Sequence, residues 1–204
     1  VSSPLFIKIC GLRTAEDVDA AVEAGADAIG FVFADSPRHV DAATAGKLAQ
    51  RVPEHVLTVG VFRRQPVAQV RDLALASGVR SVQLHGDEGR DYYDTLRPQG
   101  WTLIRATSSD GGRTPRCGEL GEDYLLLDAP DPGAGLPWNW ADDRFTPPTG
   151  HWLLAGGLTP QNVGRAVRTI APWGVDVSSG VEARRGVKDP ALIREFIESA
   201  RSAE

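Results

Sequence analysis

Four short stretches carry reactive or charged side chains at the ends of apolar runs: "KICG", "VQLHG", "LLLD" and "VDVSSG". In an extended strand, residues two apart share a face. Ile7 and Ile9 then face one way while Lys8 and Cys10 face the other. The same rule separates Gln83 and His85 from Val82 and Leu84, Asp128 from Leu125 and Leu127, and Asp176 and Ser178 from Val175 and Val177. With the aliphatic residues turned outward, a thiol, an imidazole, two carboxyls and a lysine point inward. Side chains that can take, give or bind protons would thus converge from four strands on one mouth. The neighbouring ammonium of Lys8 would lower the thiol from its ordinary pKa of ~8.5. Asp176, at a comparable depth, is the competing partner for Lys8.

Those stretches belong to a repeating pattern. Eight β-rich runs recur: "LFIKI", "AIGFVF", "LTVGVF", "SVQLH", "TLIRA", "YLLLD", "HWLLAGG" and "VDVSSG". Amphipathic helix patterns separate several of them. In "TAEDVDAAVEAG", Thr14 is the expected N-cap, Asp17 its partner three residues on, and Gly25 the stop. "ATAGKLAQRV", "PVAQVRDLALASG", "TPQNVGRAVRTI" and "DPALIREFIESA" read the same way. The connections around 107–122 and 129–149 are rich in Gly and Pro and read as irregular. Strands alternating with helices imply parallel pairing through crossovers. Eight units in 204 residues suit an α/β fold of the (β/α)8 TIM-barrel type, a single domain over residues 1–204. An open doubly wound sheet is the structural alternative, but "KICGLRTAED" lacks its glycine fingerprint.

In such a barrel the loops after the strands form the working face. "LLAGGLTPQNV" places Gly156 and Gly157 before Thr159 as N-cap and Pro160 at the first helical position. Free backbone N–H groups at a helix start attract phosphate. Ser178, Ser179 and Gly180 follow the next strand, so the two loops together form an expected phosphate site.

Composition narrows the function classes. The net charge of −5 argues against a general binder of nucleic acid or of an anionic membrane. No run is long and apolar enough to span a bilayer, and no signal-peptide pattern opens the sequence, so a cytoplasmic location is expected. His39, His55, His85 and His151 show no metal-ligand spacing, and no metal or cofactor is expected. Cys10 and Cys117 form no motif, and a disulfide between them is not expected.

Several longer stretches carry a resemblance: "KICGLRTAEDVDAAVEAGADAIGFVF", "SPRHV", "VGVF", "VQLHGDE", "LLLDA", "AGGLTPQNV" and "GVDVSSGVEARRGVKDP". Together, from about residue 5 to residue 198, they resemble phosphoribosylanthranilate isomerase of tryptophan biosynthesis. The resemblance implies a cofactor-independent Amadori rearrangement of N-(5-phosphoribosyl)anthranilate into 1-(2-carboxyphenylamino)-1-deoxyribulose 5-phosphate. It further implies Cys10 as general base, Asp128 as general acid, and Arg38 of "SPRHV" as the grip on the anthranilate carboxylate. The expected partner is a small phosphosugar, and a monomer and a homodimer are both open. Two segments depart from the family pattern: the loop between Phe33 and Ser36, about one residue short, and "GAGLPWNW", from Gly133 to Trp140.

Each residue also has an ordinary reading. A lone strand cysteine is usually a small core residue, and an aspartate after a strand often caps a turn. His85 fits a substrate border and a second layer about equally. Arg105, at the end of the fifth run, would oppose the acid role if it bonded to Asp128, and we expect that it does not. Two other functions compete. One is a related phosphosugar isomerase, but those use a carboxylate pair where this chain has Cys10. The other is a non-catalytic phosphosugar-binding module, which has little reason to keep both Cys10 and Asp128.

Overall fold

In the computed structural model, which describes residues 4–108, 114–128 and 146–203, every one of the eight apolar runs forms a strand. They are β1 (Phe6–Cys10), β2 (Ala28–Val32), β3 (Leu57–Phe62), β4 (Ser81–Leu84), β5 (Thr102–Ser108), β6 (Tyr124–Asp128), β7 (Trp152–Leu154) and β8 (Gly174–Val177). The strands close into a barrel in chain order, each parallel to the next, with β8 pairing back onto β1. The described α-helices are α1 (Ala15–Ala24), α2 (Ala42–Ala49), α3 (Val67–Ser77), α4 (Arg90–Leu96), α5 (Pro160–Ile170) and α6 (Pro190–Arg201). This is the expected (β/α)8 barrel. The short α4 had no clear periodic signal, and the segment "GAGLPWNW" lies outside the described residues.

Local chemistry sets the helix ends where the sequence placed them. The Thr14 side chain accepts from the Asp17 backbone N–H, and Gly25 ends α1 at φ +93°. Asp41 caps α2 in the same way, accepting from Thr44.

Alternation along the strands divides the apolar residues into two layers. Ile7, Ile9, Ile29, Phe31, Val82, Leu84, Leu125, Leu127, Val175 and Val177 point outward and pack beneath the helices. Ala28, Val32, Val59, Val61, Ile104, Ala106, Leu126 and Leu153 fill the barrel interior. Burial of each large aliphatic side chain contributes roughly 1.5–3 kcal/mol, so a register slip in any strand would be costly. The strand starts are closed by aromatics. Phe6 stacks on Trp173 at 4.7 Å between ring centroids, and Tyr124 meets the same indole at 4.9 Å. The interior is therefore plugged at one end and polar at the other.

Candidate active site

The polar end is a cavity of about 980 Å³, open mouth included, and it gathers side chains from seven of the eight strand ends or their loops. Cys10, Arg38, His85, Asp128, Gly156, Gly157, Asp176, Ser178 and Ser179 all line it. Gly180 alone of the residues picked from the sequence does not. It sits where the loops after β7 and β8 touch: a Cβ there would lie 1.8 Å from the Leu158 carbonyl oxygen. Its role is to let those two loops meet. We expect Gly180→Ala to lower stability by about 1–3 kcal/mol through overpacking, read as the urea midpoint, and to weaken inhibition by inorganic phosphate. An unchanged midpoint would show that the loops are not held by this contact.

The glycine turn after β7 is built by backbone geometry. Gly156 and Gly157 have φ of +87° and +66°, the left-handed region that glycine enters without strain. Asn162 braces the turn, accepting from the Thr159 N–H at 2.8 Å and donating to the Gly157 carbonyl at 2.9 Å. Ser178 and Ser179 face it from the loop after β8.

Lys8 is fully buried, and strand register determines its partner. The β1–β8 pairing sets Lys8 beside Asp176, and Nζ donates to Oδ1 at 2.7 Å. Burial alone would pull the ammonium down, but Asp176 and then Cys10 outweigh it and hold Lys8 above its ordinary range. Removing one partner of a buried pair leaves an uncompensated charge. Lys8→Met is therefore expected to cost about 3 kcal/mol in denaturant unfolding, at the low end of the usual range because the Asp176 carboxylate reaches the cavity. The double variant Lys8→Met/Asp176→Leu should recover most of the loss; failure to recover it would show that Lys8 stabilises by packing instead.

Cys10 departs from expectation. Its thiol is 8% exposed and lies against Gly30, where a Cβ would come within 2.9 Å of Sγ. Burial pushes the thiol up; Lys8 and Lys188 draw it down, and Asp176 reinforces the rise. The net direction is upward, because burial is the largest of these effects. The expected lowering by Lys8 is present but does not prevail. Cys10 and Cys117 are both free thiols.

Across the mouth, His85 Nε2 lies 3.5 Å from Asp128 Oδ2. Gln83 Nε2 approaches the other ring nitrogen, Nδ1, at 3.4 Å. Arg105 is on the outward side of β5, 3.6 Å from Glu119 and from Glu122, and does not compete for Asp128.

Sequence reasoning missed four charged residues of this region. Asp35, on the loop after β2, and Arg63, on the loop after β3, line the cavity. Glu182 and Lys188 lie just beyond β8 and engage Arg38 and Ser178. The motif "GVEARRGVK" contained both, but nothing local indicates that they fold back onto Arg38 and Ser178.

Comparison with known proteins agrees with this geometry. The family model for N-(5'-phosphoribosyl)anthranilate isomerase matches residues 7–199. The isomerase of that name from Geobacter sulfurreducens is 43% identical over 203 residues, covering 96% of this chain and 98% of its own. The crystal structure of TrpF from Jonesia denitrificans superposes with a TM-score of 0.89 at 45% identity, covering 98% of both chains. A phosphoribosyl anthranilate isomerase solved with reduced 1-(o-carboxyphenylamino)-1-deoxyribulose 5-phosphate superposes at 0.79 with 31% identity, covering 97% of this chain and 99% of its own. The chain belongs to the N-(5'-phosphoribosyl)anthranilate isomerase family, the isomerases of tryptophan biosynthesis.

Proposed function

We propose that Cys10 is the general base and Asp128 the general acid of this isomerisation. The observation that carries the assignment is that both open into one cavity whose wall is the glycine-serine phosphate turn. Phosphate bound at Gly156, Gly157, Ser178 and Ser179 would fix the sugar's 5′ end. The ribose then spans the mouth between β1 and β6, and Arg38 holds the carboxylate of the aryl group, an interaction in which a guanidinium surpasses an ammonium.

Asp128 gives its proton to the ring oxygen while the anilino nitrogen supplies electrons, opening the ring to an iminium ion. The Cys10 thiolate takes the C2′ proton, and the C2′–H electrons neutralise the iminium to an enolamine. Movement of a proton from O2′ to C1′ gives the ketone. Asp128 is left ionised and Cys10 protonated, and exchange with water at the open mouth restores both. Lys8 supports the thiolate from below, and His85 stands beside Asp128.

The same reading gives the enzyme a small phosphosugar and no macromolecular substrate, and a cytoplasmic location. A related isomerase from Thermotoga maritima is dimeric, and a monomer and a homodimer both fit this chain. No helix among the described residues is long and apolar enough to cross a membrane. Loss of substrate fluorescence on adding wild-type protein, with matching appearance of the ketone, tests the assignment together with the two variants discussed below. Binding at saturating substrate without turnover would overturn it.

A further inference from the structure

The acid–base pair leaves unexplained a hairpin just beyond β8, made of β9 (Glu182–Arg184) and β10 (Val187–Lys188). Its first residue, Glu182, has a side chain only 4% exposed that accepts four hydrogen bonds. Arg38 donates through Nε at 2.6 Å and Nη2 at 3.1 Å, Lys188 Nζ at 3.1 Å, and the Gly186 backbone N–H at 3.0 Å. Lys188 then donates to the Ser178 carbonyl at 2.7 Å and approaches its Oγ at 3.3 Å. Arg13 ties the Arg38 loop to the hairpin, with Nη1 bonded to the carbonyls of Pro37 and Gly186.

Two consequences follow from these bonds. Glu182 occupies the Nε/Nη2 edge of Arg38, so the guanidinium is held in one rotamer and its Nη1/Nη2 edge remains to meet a planar carboxylate. The cluster also carries two cations against one anion, a surplus of one positive charge that a monoanionic aryl carboxylate would neutralise. Without Glu182, Arg38 and Lys188 would repel, and Arg38 would lose its fixed direction.

We infer that Glu182 and Lys188 are positioning residues that aim Arg38 at an aryl carboxylate and Ser178 at the phosphate, making the enzyme selective for carboxylated arylaminoaldoses. The inference rests on the proposed substrate pose and deepens it. Glu182 acts on one end of the substrate through Arg38, and Lys188 acts on the other through Ser178. Burial pulls the Lys188 ammonium below its ordinary range despite Glu182, consistent with a cation buried to position neighbours.

The test compares turnover of N-(5-phosphoribosyl)anthranilate with that of N-(5-phosphoribosyl)aniline, which lacks the carboxylate. For wild type, kcat/KM should favour the carboxylated substrate by at least about 100-fold, the scale of a charge-assisted bidentate contact. In Glu182→Gln that ratio should fall at least about 10-fold, mainly through a raised KM for the carboxylated substrate. Lys188→Met leaves Glu182 on Arg38, so its ratio should stay within about threefold while inhibition by inorganic phosphate weakens at least about fivefold. A merely structural hairpin would depress both substrates equally and leave the ratio unchanged in Glu182→Gln; that result overturns the inference. The Lys188 variant provides the same decision should Glu182→Gln fail to fold: an unchanged phosphate inhibition constant contradicts the two-ended arrangement. A wild-type enzyme that does not distinguish the two substrates would instead overturn the proposed role of Arg38 itself.

Discussion

Cys10→Ser lowers kcat by about 10²–10⁴, with KM changed by less than about threefold. The serine hydroxyl fits the space beside Gly30, so the substrate still binds, but an alcohol is far less acidic than a thiol and supplies no anion to take the C2′ proton. The thiol's own titration follows from its surroundings. In the wild type burial holds the thiol above its ordinary range, against the pull of Lys8 and Lys188. The reactive thiolate is then the minor form near neutrality, and its fraction rises about tenfold per pH unit until the raised pKa is reached. Because Asp128 must stay protonated while Cys10 ionises, the thiol is read directly: the rate of alkylation at Cys10 should climb with pH through the alkaline range. A Cys10→Ser variant that retains the wild-type turnover would remove Cys10 from the mechanism.

Asp128→Asn is expected to lose a similar factor, about 10²–10⁴ in kcat, for the complementary reason. The amide keeps the shape and the contact with His85 but has no acidic proton for the ring oxygen, so ring opening stalls. Binding separates this from a packing defect. The reduced product analogue bound by a related isomerase needs no proton from Asp128, so its affinity should change by less than about threefold. Wild-type turnover in Asp128→Asn would dismiss the acid assignment. A parallel loss of affinity and kcat would make Asp128 a binding group instead.

The two variants also bear on the relation between the base and its surroundings. Lys8 could be read from the sequence as an activator of the thiol or as the partner of Asp176. It is both, but unequally. Lys8 is bonded to Asp176, and burial of the thiol outweighs the pull of Lys8 and Lys188, so the thiol is only partly compensated. This gives a base that is weakly populated at rest and strongly basic when formed.

The strand-end chemistry was legible because alternation is a local property. Once Ile7 and Ile9, Leu125 and Leu127, and Val175 and Val177 are assigned to the helix-facing layer, the inward direction of Cys10, Asp128 and Asp176 follows from the period of two. The glycine turn before Pro160 and the caps at Thr14 and Gly25 were equally local. Eight repeats of strand and crossover then left a closed barrel as the favoured way to bury every strand. Sequence by itself therefore determined the fold class, the working end of the barrel, and the side chains that meet there.

Tertiary structure decided what depends on burial and on register between distant segments. The β1–β8 register selected Asp176 for Lys8 across 168 residues. The return of the hairpin paired Arg38 with Glu182 across 144 residues and placed Lys188 on Ser178. The close approach of the Leu158 carbonyl to Gly180 joins the loop after β7 to the loop after β8. Finally, the direction of the Cys10 shift depended on whether desolvation or Lys8 prevails. Adjacency in "KICG" shows that the cation is near, but only closure of the barrel around the thiol, with Asp176 beside it, makes burial the larger effect.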